Sequence, residues 1–168
     1  MSEQDLTVVD AIQIALESEK KAAAAYSNAA KNAPHVALEK LFSGLASLEQ
    51  HHYDKVAELA ASLQKKAKYI VYEASSIHIA PQSEIEIAGI AGDILGGKKA
   101  SMMDVLTMAQ DIEQQLDKRY SALAEQTSDR DGKEMLEWLA KEERSHLKLL
   151  TTVYWNLNER GVLAWPGL

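Results

Sequence analysis

The stretch LFSGLASLEQHHYDKV, Leu41 to Val56, decides the fold. Leu41, Leu45 and Val56 fall at helical spacing, and Glu49 and His52 sit on the same stripe. An α-helix turns once every 3.6 residues, so positions i and i+3 share a face. A carboxylate and an imidazole therefore point together toward what should be an apolar interior. The stretch LEWLAKEERSHLKLL, Leu136 to Leu150, repeats the arrangement with Glu143 and His146. Glu19 and Glu113 break the apolar stripes of two other helical patterns in the same way.

Working outward, residues 7–31 predict a first helix with inward stripe Ile12, Ala15, Glu19, Ala22, Tyr26 and Ala29. Thr7-Val-Val-Asp10 has the spacing of a capping box, in which each side chain satisfies a free N–H of the first turn. Asn32-Ala-Pro34 stops this helix, because proline disfavours the α conformation of its predecessor. Pro34 is then expected at the first position of a second helix that runs to about residue 66. Ser101-Met-Met-Asp104 is a second capping box and opens a third helix with stripe Val105, Ala109, Glu113, Leu116, Tyr120 and Leu123. A turn over Ser128 to Gly132 leads to a fourth helix with stripe Met135, Leu139, Glu143, His146, Leu150, Val153 and Leu157, ending at Gly161.

The two halves repeat at an offset of 94 without a gap: Thr7 falls on Ser101, Glu19 on Glu113, Tyr26 on Tyr120, Glu49 on Glu143 and His52 on His146. All six polar interruptions keep the register, which is the mark of a duplicated helical hairpin. The heights agree as well. Glu19 lies 14 residues before Ala33 and Glu49 lies 16 after it, so the two meet near mid-helix in an antiparallel hairpin. The expected fold is all-α: one four-helix bundle over residues 1–168, made of hairpin 7–66, crossover 67–100, hairpin 101–160 and an apolar tail 161–168. The crossover is too long for a hairpin turn and is expected to travel the length of the bundle, with a short helix near Ser83 to Leu95.

Composition bounds the rest. Hydrophobic residues make up 46 % of the 168, with 3 Pro and 8 Gly, which suits a helical globular chain. The net charge of −7 argues against nucleic acid, which needs a basic patch. No apolar run is long enough to span a bilayer, and the first residues lack the features of a signal peptide, so a cytoplasmic location is expected. The absence of cysteine excludes iron–sulfur clusters and thiol redox pairs within this sequence.

A buried carboxylate costs several kcal/mol unless something compensates it. Four glutamates converge here, and Lys20, Lys21 and Arg144 fall on other faces. Two divalent metals would bring +4 against the four carboxylates and two neutral histidines, and a mixed carboxylate–imidazole set suits iron or manganese, with zinc possible.

Glu19 with Tyr26 seven residues on, Glu49-Gln-His-His52, Glu113 with Tyr120 seven on, and Glu143-Arg-Ser-His146 resemble the rubrerythrin-like branch of the ferritin-like superfamily. The resemblance spans residues 7 to about 157. It implies two iron ions held by Glu19, Glu49, His52, Glu113, Glu143 and His146. It also implies that Glu49 and Glu143 bridge the metals while Glu19 and Glu113 are terminal, and that hydrogen peroxide or oxygen is reduced with electrons from an external donor. The chain departs from the family in two places. It has no cysteine-bearing rubredoxin domain, and Leu116 stands where rubrerythrins carry a further glutamate. A ferroxidase or iron-storage protein, and a non-catalytic helical module with a vestigial metal site, are the other functions that the residues admit.

Tyr26 and Tyr120 lie two turns from Glu19 and Glu113 and are expected to reach ligand carboxylates across the bundle. His35, His51 and His78 are expected at the surface or in structural roles, and Trp138, Trp155 and Trp165 in packing or an interface. The apolar tail and the long crossover point to a homo-oligomer, with a dimer expected.

Overall fold

A computed structural model describes residues 7–66 and 102–161, and the following statements concern those residues. Four helices account for nearly all of them: α1 (Val8–Lys31), α2 (Val36–Lys66), α3 (Met102–Gln126) and α4 (Arg130–Arg160). They form a four-helix bundle of two hairpins, α1 packed along α2 and α3 along α4. The hairpins meet through α1 against α3 and α4, and α2 against α4.

Contacts between the hairpins set the directions. Tyr26 of α1 reaches Glu113 of α3, while Glu19 meets Tyr120, so α1 and α3 are antiparallel. His52 faces Glu143 and Glu49 faces His146, so α2 and α4 are antiparallel too. It follows that α2 and α3 run parallel. Lys66 and Met102 then lie at opposite ends of the bundle, about 40 Å apart along the axis at 1.5 Å per helical residue. The expected crossover must cover that distance. The crossover itself, with its Ser83–Leu95 helix, His78 and the box residue Ser101, lies outside the described residues, as do Trp165 and the tail beyond Gly161.

The helix ends follow from their caps. Thr7 Oγ1 accepts from Asp10 N–H at 3.2 Å and the Asp10 carboxylate accepts from Thr7 N–H at 3.1 Å, the reciprocal box expected from the spacing. Gly161 closes α4 in the left-handed region at φ 63°, where a side chain would be strained. Two expectations shift by a residue or two. Pro34 does not open α2. The helix starts at Val36, where His35 caps it: its carbonyl accepts from Glu39 N–H at 3.0 Å and its Nδ1 accepts from Ala37 N–H at 3.1 Å. Gly132 is not in the turn but in the first turn of α4, its N–H held by Asp129 Oδ1 at 2.8 Å. A Cβ there would stand 2.3 Å from Cγ2 of Val8, so the glycine lets α4 begin against α1.

The stripes read from the sequence are the core. Every residue of the α1 and α3 stripes is buried, and in α2 and α4 only Leu59, Met135 and Leu157 are partly exposed. A second buried column, not in those stripes, includes Phe42, Leu106, Ile112 and Leu136. One turn either side of the polar layer, each helix is aliphatic: Ala15 and Ala22, Leu45 and Val56, Ala109 and Leu116, Leu139 and Leu150, all buried. Burying each leucine contributes about 1.5–3 kcal/mol. That apolar packing outweighs the cost of the polar layer and keeps water from it.

Candidate metal centre

Each helix brings its polar residues to the same level. Glu19 comes from α1, Glu49 and His52 from α2, Glu113 from α3, and Glu143 and His146 from α4. The four glutamates have no exposed surface, and the two histidines are 1 % and 5 % exposed. No lysine or arginine reaches them among the described residues. Lys20 and Lys21 are exposed, and Arg144 turns to Asp117 at 3.0 Å.

The ligand-type atoms fall into two sets, each within 4.8 Å throughout: Glu19, Glu49, His52 and Glu143, and Glu49, Glu113, Glu143 and His146. The sets share Glu49 and Glu143. The 94-residue offset exchanges one set for the other, so the sequence repeat becomes an approximate twofold axis through the polar layer. The distances follow it. His52 Nδ1 is 3.4 Å from Glu19, 3.3 Å from Glu49 and 3.5 Å from Glu143. His146 Nδ1 is 3.5 Å from Glu113, 3.1 Å from Glu143 and 3.2 Å from Glu49. The two imidazoles stack 5.3 Å apart at 6°.

These contacts are close but mostly not aimed. His52 Nδ1 sits between three carboxylates and makes no directed hydrogen bond to any. Both oxygens of Glu49, Oε2 of Glu19, Oε2 of Glu113 and Oε1 of Glu143 are buried without a hydrogen-bond donor. Buried polar atoms in folded proteins are normally satisfied, and each exception calls for a cause. Here all the exceptions converge on one layer, as ligand atoms around a cation do. The group could hold a metal ion, and its carboxylate–imidazole chemistry fits a divalent first-row metal.

The tyrosines fall where the spacing placed them, and each crosses to the other hairpin. Tyr120 Oη donates to Glu19 Oε1 at 2.6 Å, and Tyr26 Oη donates to Glu113 Oε1. Both phenols are buried, and Phe42 stacks on Tyr26 at 6.0 Å. Burial and the nearby carboxylates hold both phenols well above their usual range, so they remain donors.

Without metal, burial and mutual contacts shift the groups of the layer. Burial raises Glu19 to about 8 despite the His52 contact, and raises Glu113 likewise against His146. Burial also acts on Glu49, but His146 and His52 outweigh it and hold that carboxyl at about 2; Glu143 is lowered for the same reason. Burial opposes the charge on His52, yet Glu143, Glu19 and Glu49 push it up to about 11, and His146 is raised by the equivalent partners. The shifts run in opposite directions: Glu19 and Glu113 are driven toward the neutral acid, and Glu49, Glu143 and both imidazoles toward their charged forms.

Among the other residues singled out, His51 is exposed, His35 is an exposed helix cap, and Trp155 is half-exposed with Arg160 4.9 Å over its ring. Trp138 does pack, but its partner is in the centre: it meets His52 edge-on at 5.2 Å. Glu142 was not among the expected residues. It is half-buried, and one of its oxygens lies within 4.8 Å of ring nitrogens of both His52 and His146. A signal was present in its spacing, four residues after Trp138 and four before His146, on the flank of α4 beside the apolar stripe. No protein-family model, no curated protein and no solved structure matches this chain.

Proposed function

We propose that this chain is a two-metal carboxylate protein of rubrerythrin-like type, holding iron or manganese and reducing hydrogen peroxide or oxygen with electrons from an external donor. The observation that carries the reading is the pair of overlapping ligand sets that share Glu49 and Glu143. One cation in each set would have a histidine and a terminal glutamate of its own, with the shared carboxylates between them. Two divalent cations would bring +4 against the four carboxylates.

Redox-active metals held there would supply the two electrons that, with two protons, turn hydrogen peroxide into two waters. The chain's own residues do the rest. Tyr26 and Tyr120 hold Glu113 and Glu19 by one oxygen each and leave the other free as a ligand atom. The aliphatic residues on either side exclude water, which strengthens every charge interaction inside. With no cysteine in the sequence, a thiol or iron–sulfur relay has no residue to form it, and the oxidised centre must be re-reduced from outside.

The test is rapid mixing of iron-loaded, anaerobically reduced protein with hydrogen peroxide. Oxidation faster than that of free ferrous iron, with steady turnover once a reductant is added, supports the reading. Oxygen uptake with ferrous iron and retention of the ferric product, without peroxide turnover, would make the chain a ferroxidase instead. Failure to bind metal would leave a helical scaffold.

A further inference from the structure

Among the described residues, the sides of the polar layer differ in how closely they are covered. Between α1 and α3 it is sealed by Tyr26 and Tyr120, 1 % and 0 % exposed. The outer groove between α1 and α2 is large, about 710 Å³, but no cage ligand lines it. The seam between α2 and α4 differs. His146 is 5 % exposed and Glu142 is half-buried, and a cleft of about 300 Å³ lined by Lys55, Asp131 and Glu134 reaches Trp138, whose ring edge meets His52.

Glu142 is half-buried at this seam, and one of its oxygens lies within 4.8 Å of nitrogens of the inner imidazoles. Its carboxylate and the stacked imidazoles form a third group, with atoms mutually within 4.8 Å, outside the two four-residue sets. The duplication is broken here, because the 94-residue offset places Leu48 where α4 has Glu142. The cage has two of every other polar residue but one such carboxylate. A carboxylate needed to hold each imidazole in place would be expected twice; a carboxylate on a single path inward is needed once.

We propose that Glu142, with His52 and His146, forms a transit site for a divalent cation, the place where a metal ion exchanges water for protein ligands before passing into the cage. The inference rests on the metal-cage reading above. Glu142 draws the cation to the seam and supplies the first oxygen, the imidazoles supply the nitrogens, and the ion then moves inward to the glutamates. Because Glu142 is not a resident ligand, it changes how fast metal moves and not how tightly it is held.

Cobalt(II) is a suitable probe, since its visible absorption reports inner-sphere binding to the full chain. Uptake by apo protein in stopped flow, release to excess chelator and equilibrium stoichiometry are measured for wild type, Glu142→Gln and Glu142→Leu, the last being the residue that the repeat places at the equivalent position. Glu137→Gln, exposed on α4, controls for net charge. The expected result is that uptake and release both slow by about tenfold in the Glu142 variants, with affinity and stoichiometry unchanged and the control like wild type. Unchanged rates would overturn the proposal. So would lost affinity at an unchanged uptake rate, or one fewer bound metal, because Glu142 would then be a support for the imidazoles or a resident ligand. If wild type bound no cobalt at all, the cage itself would fall, and that result is distinct from either.

Discussion

Tyr120 of α3 donates its phenolic hydrogen to Glu19 of α1 at 2.6 Å, and the repeat gives Tyr26 of α1 the same bond to Glu113 of α3. Each hairpin therefore holds a glutamate of the other in the polar layer, and the layer exists only when the hairpins are docked. Tyr120→Phe and Tyr26→Phe should each leave a buried carboxyl oxygen unpartnered and cost about 1–3 kcal/mol. The two losses should be similar, and metal affinity should fall by about tenfold in each. Thermal melts and metal titrations of the two variants check this; a loss at only one tyrosine would mean that the twofold arrangement is not kept in solution.

Metal loading should release protons. The upward shifts of both imidazoles and of Glu19 and Glu113 favour their protonated forms in the apo layer, and metal ligands must be deprotonated. About four protons should therefore leave per pair of divalent ions near pH 7. The number should fall above pH 8, where Glu19 has already lost its own. Titration in weak buffer with a pH indicator reads the count directly, and about two protons at pH 7 would show that the imidazoles are already neutral.

The apo protein should lose stability as pH rises. Glu19 goes from 4.5 to about 8 on folding and His52 from 6.5 to about 11, so the folded state binds more protons. Their contribution is complete below the unfolded values and is lost as pH climbs through the folded ones. Glu49, lowered from 4.5 to about 2, acts in the opposite sense at the acid end. The apo melting temperature should peak near pH 5 and fall toward pH 9. The metal-loaded protein should not show that fall, because deprotonation tightens metal binding. A rising apo profile over pH 5–9 would contradict the proton assignment.

The carboxylates should divide by partner. The imidazoles hold Glu49 and Glu143 below the usual carboxylate range against burial, whereas burial raises Glu19 and Glu113. Glu19→Gln with Glu113→Gln should leave the apo melting temperature close to that of wild type, since an amide oxygen can still accept from each tyrosine. Glu49→Gln with Glu143→Gln should lower it by several degrees, because two buried imidazoles lose their counter-charges. Both pairs should abolish tight metal binding. Equal melting temperatures for the two double variants would remove the distinction.

His52→Ala or His146→Ala should slow peroxide oxidation of the iron-loaded protein by about tenfold or more. His35→Ala should cost the α2 cap about 0.5–2 kcal/mol and leave the oxidation rate alone. Single-turnover kinetics and melts on the three variants separate the roles. An equal kinetic loss at His35 would mean that the centre lies elsewhere.

The positions of the centre were legible because a charge on an apolar helical stripe stands out, and because six such interruptions kept one register across the repeat. What the periodicity left open depends on packing between helices. That each imidazole lies near three carboxylates, with Glu49 and Glu143 common to both, follows from which side chains meet across the bundle. Glu142 sits beside the stripe of α4, and only the approach of α2 brings His52 to it. Gly132 looked like a turn residue because its contact with Val8 is far away in sequence. Pro34 looked like a helix start, but the His35 side chain supplies the cap and the helix begins two residues after Pro34, at Val36.

The most direct measurement is anomalous diffraction from crystals of the protein loaded with manganese(II). The expected result is two peaks per chain about 3.5–4 Å apart, as in other two-metal sites, with Glu49 and Glu143 between them, Glu19 and His52 on one, and Glu113 and His146 on the other. A single peak held by one Glu-x-x-His pair, or none within the bundle, would contradict the two-metal cage.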